Sequence, residues 1–441
     1  TYVNRTSLTV KWVGSDNVGV DYYEVKLDSG SWINVDKSEN YTFTGLEEGL
    51  HVIYIRAYDL AGNINTTNVY VIVDLTPPTF VDVDPSNDTY VQSKVTFTWN
   101  FTDNFEISYY KIRIDEEEWI ILTSNRYTFE YLTEGTHIVY IVGYDKAGNS
   151  KAIRVHITAD TTNPSIAIIS PDGGSYINSS TIIVSWNMSD NFGIDHCELR
   201  IDGGAWVNIG DVENYTIVGL SEGSHIIEVK VYDLAGNQDD DIVAITIDLT
   251  APTFTAIYPS EELHINITEV DISWEAIDNY GIDKYLIRIN DGSWINTGGS
   301  SYHISGLNSG VNIIDIKAID RAGNTQVERV TIIVDTMAPE ICLYAPFNNS
   351  YVNMGTVTLS WNVTDNEGID HVEVAIDDGS WINLGLSYSY TFANLSESTH
   401  IVVVRVYDLA GNMASSKVTF SVDCTPPVIR IVAPISGSFL N

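Results

Sequence analysis

The chain has 441 residues, 44% hydrophobic, 11% aromatic and only 18% charged, a composition that excludes disorder. Fifty-nine acidic residues against 22 basic ones give a formal net charge of −37, spread over the whole length, which excludes a nucleic-acid surface because phosphate binding needs a basic stripe. The three cysteines, Cys197, Cys342 and Cys424, are odd in number and unrelated in position, which excludes a repeated disulfide framework and a Cys-x-x-Cys metal motif.

One pattern is written five times. Trp12, Trp99, Trp186, Trp274 and Trp361 recur at spacings of 87, 87, 88 and 87 residues. Trp32, Trp119, Trp206, Trp294 and Trp381 keep the same period, and Asn63, Asn149, Asn237, Asn324 and Asn412, each closing an Asp-x-Ala-Gly-Asn run, recur at 86, 88, 87 and 88 residues. Such a period predicts a tandem array of small domains. The boundaries fall at 1–76, 77–162, 163–250, 251–337 and 338–425, and residues 426–441 begin a further repeat.

In repeat two the stretch after Pro78 supplies the first strand. Lys94–Phe101 then alternates Val95, Phe97, Trp99 and Phe101 with Thr96, Thr98 and Asn100, the two-residue period of a half-buried strand. Tyr109–Asp115 and Trp119–Thr123 flank a short turn that is Asp-Gly in other repeats (Asp291-Gly292, Asp378-Gly379), a hairpin signal. Arg126–Phe129 follows. Thr136–Asp145 and Ser150–Thr158 close the repeat around Ala147-Gly148-Asn149, where Gly148 permits the positive φ of a tight loop. Seven short strands without helical periodicity predict an all-β array of seven-stranded β-sandwiches. Cys197 reads as an apolar core position of its strand.

These repeats resemble the bacterial and archaeal immunoglobulin-like domains, fibronectin-III-like in kind, of prokaryotic surface proteins and adhesins. The likeness is carried by Asp291-Gly292-Ser293-Trp294, by the Gly-x-His strand starts (Gly49 and His51, Gly135 and His137, Gly223 and His225), by the Tyr-Asp-Leu-Ala-Gly-Asn hairpins ending at Asn63, Asn237 and Asn412, and by the linkers Asp74–Pro78 and Asp423–Pro427. Repeat four departs from it with Asn312 for His and Ile319 for Tyr.

Acidic residues form the main candidate site. Each repeat carries Asp-Asn after its Trp strand, Asp in its last hairpin and Asp in its linker. Up-and-down tracing puts the linker Asp beside the two loops of the next repeat. The expected groups are Asp74 with Asp103, Asn104 and Asp145; Asp160 with Asp190, Asn191 and Asp233; Asp248 with Asp278, Asn279 and Asp320; and Asp335 with Asp365, Asn366 and Asp408. Carboxylates with amide or carbonyl oxygens suit Ca2+. The resemblance implies the same, since related adhesin arrays are stiffened by calcium at such joints. Turn capping through the backbone is the other reading.

Twelve Asn-x-Ser/Thr sequons occur, at Asn4, Asn40, Asn65, Asn87, Asn100, Asn178, Asn187, Asn214, Asn266, Asn348, Asn362 and Asn394. Asn100, Asn187 and Asn362 each follow the inward Trp and so face outward, where an N-linked glycan fits; common surface Asn and Thr are the alternative. The first Trp set reads as core, the second as half-exposed after a turn, where sugar stacking is the alternative to packing. His51, His137, His225 and His400 recur once per repeat and read as strand-edge residues, not zinc ligands. No catalytic triad, phosphate loop or His-Glu-x-x-His run is present, so no enzyme is expected.

Repeat one lacks the strand that precedes its Thr1–Asn4 segment, and residues 426–441 supply that same strand for a sixth repeat. Either the stretch is a window on a longer array, or residues 428–437 of one copy add to repeat one of the next, giving a head-to-tail filament. No 18-residue apolar run, signal peptide or initiator Met occurs, so an excerpt or processed product is expected, with no membrane segment in this stretch. The expected protein is an extracellular structural stalk or filament on a prokaryotic cell surface, archaeal by its sequon density. An adhesin, or the carbohydrate-binding modules of a larger secreted protein, is the alternative.

Overall fold

The structure, a computed structural model, describes residues 1–432. They contain strands, turns and loops but no helix. Two compact units are present: Thr1–Gly174 with Thr181–Val218 and His225–Ile245, and Ser175–Ser180 with Gly219–Ser224 and the chain from Thr246 onward.

Repeat two, in the first unit, shows the architecture. A three-stranded sheet orders Arg126–Phe129, Val95–Thr102 and Thr79–Asp84. A five-stranded sheet orders Ile120–Leu122, Ile107–Ile114, Gly135–Asp145, Ser150–Ala159 and Thr89–Val91. The two sheets close on one core of Phe97, Trp99, Phe101, Ile112, Val139, Ile141, Val155 and Ile157. Along Val95–Thr102 the alternation sends Phe97, Trp99 and Phe101 inward and leaves Thr98 and Asn100 exposed. This is an immunoglobulin-like sandwich of the aligned two-sheet kind. Repeats four and five, in the second unit, repeat both sheets strand for strand. In repeat three the three-stranded sheet of Ser165–Ser170, Ile182–Ser189 and Asn214–Ile217 lies in the first unit, and Cys197 is fully buried.

The seven expected strands are joined by an eighth. Thr89–Val91 runs parallel to Ile157–Ala159. The leading segment therefore serves both sheets, changing from one to the other at Pro85, whose missing N–H breaks the ladder.

Repeat one keeps its five-stranded sheet, but Ser7–Lys11 pairs with Asn40–Thr44 alone. Val10 and Trp12 are half-buried, whereas Phe97 and Trp99, at the same positions of repeat two, are fully buried. Residues 426–432 form no strand, and Val428, Ile429, Ile431 and Val432 are exposed. The rest of the strand expected over 426–441 lies outside the described residues.

Candidate metal centre

Four acidic wells occupy the joints between repeats. In each, one ligand atom from every carboxylate lies within 4.8 Å of the others: Asp74, Asp103 and Asp145; Asp160, Asp190 and Asp233; Asp248, Asp278 and Asp320; Asp335, Asp365 and Asp408. The first two wells belong to the first unit and the last two to the second.

Local folding puts each Asp there. Asp74 follows the last strand of repeat one, Ile64–Val73, and its N–H donates to the carbonyl of Val3. Asp103 follows Val95–Thr102, and its Oδ1 accepts the Phe105 N–H at 3.0 Å, an Asx turn. Asp145 ends Gly135–Asp145, and its Oδ1 accepts the N–H groups of Gly148 and Asn149 at 2.6 and 2.9 Å. The same turn bonds recur at Asp190, Asp278 and Asp365.

Turn capping is therefore real, but it uses only part of each group. Asp74, Asp160, Asp248 and Asp335 are fully buried, and Oδ2 of each has no hydrogen-bond partner. Asp103 Oδ2, Asp190 Oδ1, Asp278 Oδ2 and Asp320 Oδ2 are also buried and unpartnered. A buried carboxylate oxygen without a donor is costly, and three carboxylates so close repel by about 3 kcal/mol per pair at an effective dielectric near 20. Burial, then the charges of Asp190, Asp233 and Glu134, push the Asp160 carboxyl up to about 6. Burial and the equivalent neighbours push Asp74 and Asp248 upward too. A divalent cation relieves both costs. The donors are all oxygens, the preference of a hard ion, and at bond lengths of 2.3–2.6 Å two oxygens on one Ca2+ sit up to about 5 Å apart.

The amides behave differently from the carboxylates. Asn104, Asn191 and Asn279 turn their Nδ2 to Glu48, Glu134 and Glu222, and Asn366 turns its own to Asp335. Those three glutamates are site residues that the sequence reading missed. Each stands just before the Gly-x-His strand start, a recurring place that could have flagged it.

The remaining flagged residues sort clearly. Trp99, Trp186, Trp274 and Trp361 are buried and Trp12 half-buried. The second Trp set lies under cations: Arg56 over Trp32 at 3.8 Å, Arg113 over Trp119 at 4.9 Å, Arg200 over Trp206 at 4.4 Å, Arg288 over Trp294 at 4.8 Å and Arg405 over Trp381 at 3.8 Å. His51, His137 and His400 are tied at both ring nitrogens. His51 Nδ1 meets Asp28 Oδ2 at 2.7 Å and its Nε2 meets the Glu47 carbonyl at 2.8 Å; His137 and His400 repeat this with Asp115 and Thr133, and with Asp377 and Ser396. His225 Nδ1 meets Asp202 at 2.8 Å. All twelve sequon asparagines are exposed.

Comparison with known proteins agrees with this fold. Residues 164–229 and 339–404 each match the model of the bacterial Ig domain family. No curated protein matches the sequence. Similar solved structures include the fibronectin(III)-like modules of Clostridium thermocellum CbhA (16% identity, 39% of this chain and 94% of that one, TM-score 0.31). A tetra-tandem repeat from the extending region of a large adhesion protein covers 76% of this chain and 99% of its own at 16% identity and TM-score 0.31. Immunoglobulin domains 1–5 of Sidekick-1 cover 96% and 95% at 11% identity and TM-score 0.29. At these scores the sheet order described above, not the likeness, carries the fold. No enzymatic family is indicated. No helix among the described residues is long and apolar enough to cross a membrane. The tandem repeats are consistent with an extracellular structural or adhesion protein.

Proposed function

We propose that this chain is a structural stretch of an extracellular protein, a stalk or head-to-tail filament of immunoglobulin-like domains on a prokaryotic, archaeal surface, with one calcium ion at each of its four joints. The observation that carries the reading is the linker aspartate: four times over, a fully buried carboxylate holds an unpartnered oxygen against two carboxylates of the next repeat. Such an arrangement costs stability unless a cation completes it, and with the ion in place it fixes one repeat on the next.

Glycans on the exposed sequons would keep the outer sheet faces from sticking to one another. Continuity beyond this stretch comes from further repeats, or from a strand of a second copy laid along the open edge of Ser7–Lys11. The sugar-binding alternative gains nothing from the second Trp set, because a guanidinium already stacks on those rings. Small-angle scattering of the full chain with calcium and with chelator tests the proposal. A longer, stiffer particle in calcium supports it; identical curves, with no calcium bound in calorimetry, overturn it.

A further inference from the structure

The four wells are not equivalent. At three joints a fourth carboxylate stands at the rim, supplied by the repeat before the joint. Glu48 accepts from Thr76 Oγ1 in the linker at 2.7 Å and from Asn104 Nδ2 in the following repeat. Glu134 does the same with Thr161 Oγ1 at 2.5 Å and Asn191, and Glu222 with Thr250 Oγ1 at 2.8 Å and Asn279. Each glutamate thus clasps the linker and the next repeat, and adds its charge to the three aspartates.

The joint beside Asp335 has lost this arrangement. Ser309 occupies the glutamate's place, and Met337 replaces the threonine that Thr76 and Thr250 supply, while Thr336 keeps the place of Thr161. With no glutamate to meet, Asn366 turns its Nδ2 to Asp335 Oδ1 at 3.3 Å. That oxygen already accepts the Met337 N–H at 3.0 Å. One carboxylate is missing from this well and another is drawn into hydrogen bonding. A pocket lined by Met337, Ala338, Glu340, Thr364, Asp365 and Asn366 also opens beside it, its one glutamate coming from the strand after the joint and not from the rim position of Glu48, Glu134 and Glu222. Affinity of an oxygen site for calcium follows its count of charged ligands and its rigidity.

We propose that the joints form two classes, three tight cation sites with Glu48, Glu134 and Glu222 at their rims and one weak site at Asp335, Asp365 and Asp408, so that the last joint empties first as calcium falls. The inference rests on the calcium reading above. It makes this joint a hinge set by calcium concentration, and the loss of the rim glutamate there is what marks it.

Calcium titrated calorimetrically into the metal-free full chain separates the possibilities. The expected isotherm has three sites and a fourth about tenfold weaker. Ser309→Glu with Met337→Thr should merge the fourth site with the tight class, Glu48→Gln should move one tight site to the weak class, and Asp365→Asn should delete only the weak class. Four equal sites in the unaltered chain, or loss of a tight site in Asp365→Asn, overturn the two-class proposal while leaving the calcium reading intact. Absence of any calcium binding overturns both. Glu48→Gln removes one exposed charge and no packing, so its outcome does not depend on a fold-sensitive position.

Discussion

Asn149 holds the linker aspartate of the preceding repeat: its Nδ2 donates to the Asp74 carbonyl at 2.9 Å while also donating to the Asp145 carboxylate at 2.7 Å. Asn237 on Asp160 and Asn412 on Asp335 repeat the contact at 3.0 and 2.8 Å, and Asn324 reaches Asp248 at 2.8 Å. The Asp-x-Ala-Gly-Asn hairpin is thus a joint element as much as a turn.

Replacing Asn149 by Ala leaves the Asp74 carbonyl without this donor and should cost about 1–3 kcal/mol locally. The measurement is hydrogen exchange in the linker after Asp74. Faster exchange there, with unchanged exchange inside repeat two, is the expected result.

Asp160→Asn tests the well itself. In chelator the variant should melt at or above the parent temperature, because a buried, repelled carboxylate is gone. In calcium it should gain less than the parent does. The sign follows from the raised carboxyl: with a folded value near 6 against an ordinary one near 3.8, the folded state binds the extra proton, so metal-free stability falls as pH rises through that window. Thermal melts with and without calcium check both statements.

The recurring histidines give a dependence of the same sign at higher pH. Burial pulls the His51, His137 and His400 imidazoles down, but the Asp28, Asp115 and Asp377 carboxylates and the carbonyls at the far nitrogens outweigh it, and all three are raised. Their contribution is complete below about pH 6.5 and is lost as pH rises through the higher folded value. Asp28, despite its burial, is held low by the Val52 N–H and His51, so that side of the pair is lost only in acid. Repeat four has Asn312 bonded to Asn290 instead, at 2.9 Å, and should not respond. Ring titration by NMR, with His137→Asn plus Asp115→Asn as the insensitive control, reads this directly.

Trp186→Ala should cost about 3–5 kcal/mol, as it empties a fully buried ring from the core. Trp381→Ala should cost far less, since that ring is 36% exposed and held by Arg405 on its face. Denaturant melts of the two variants provide the comparison.

Native protein should carry glycan at Asn100, Asn187 and Asn362, each exposed beside a buried Trp. Mass spectrometry of the native material would find bare asparagine at all three if the reading is wrong.

Much of this was legible in the sequence because it is local. Val95, Phe97, Trp99 and Phe101 announce their own register, and the period of the aspartates places them at one end of each sandwich. What escaped is non-local. Thr89–Val91 is three residues long and finds its partner 68 residues away, so no alternation reveals it. Asp28 reads as a hairpin residue until His51 folds onto it, and Glu48 looks like any solvated acid. The signal available was variation among the copies. Repeat four changes His to Asn312 and the matching Asp to Asn290 together, as it changes Glu to Ser309 and Thr to Met337 together.

The parallel pairing of Thr89–Val91 with Ile157–Ala159 has a mechanical consequence. Tension applied through the two linkers of repeat two pulls these neighbouring strands in opposite directions along their own length. Their hydrogen bonds are then loaded in shear and share the force, instead of parting one after another as in a peeled hairpin. A three-residue strand that contributes little to thermal stability would therefore set the force at which the repeat opens.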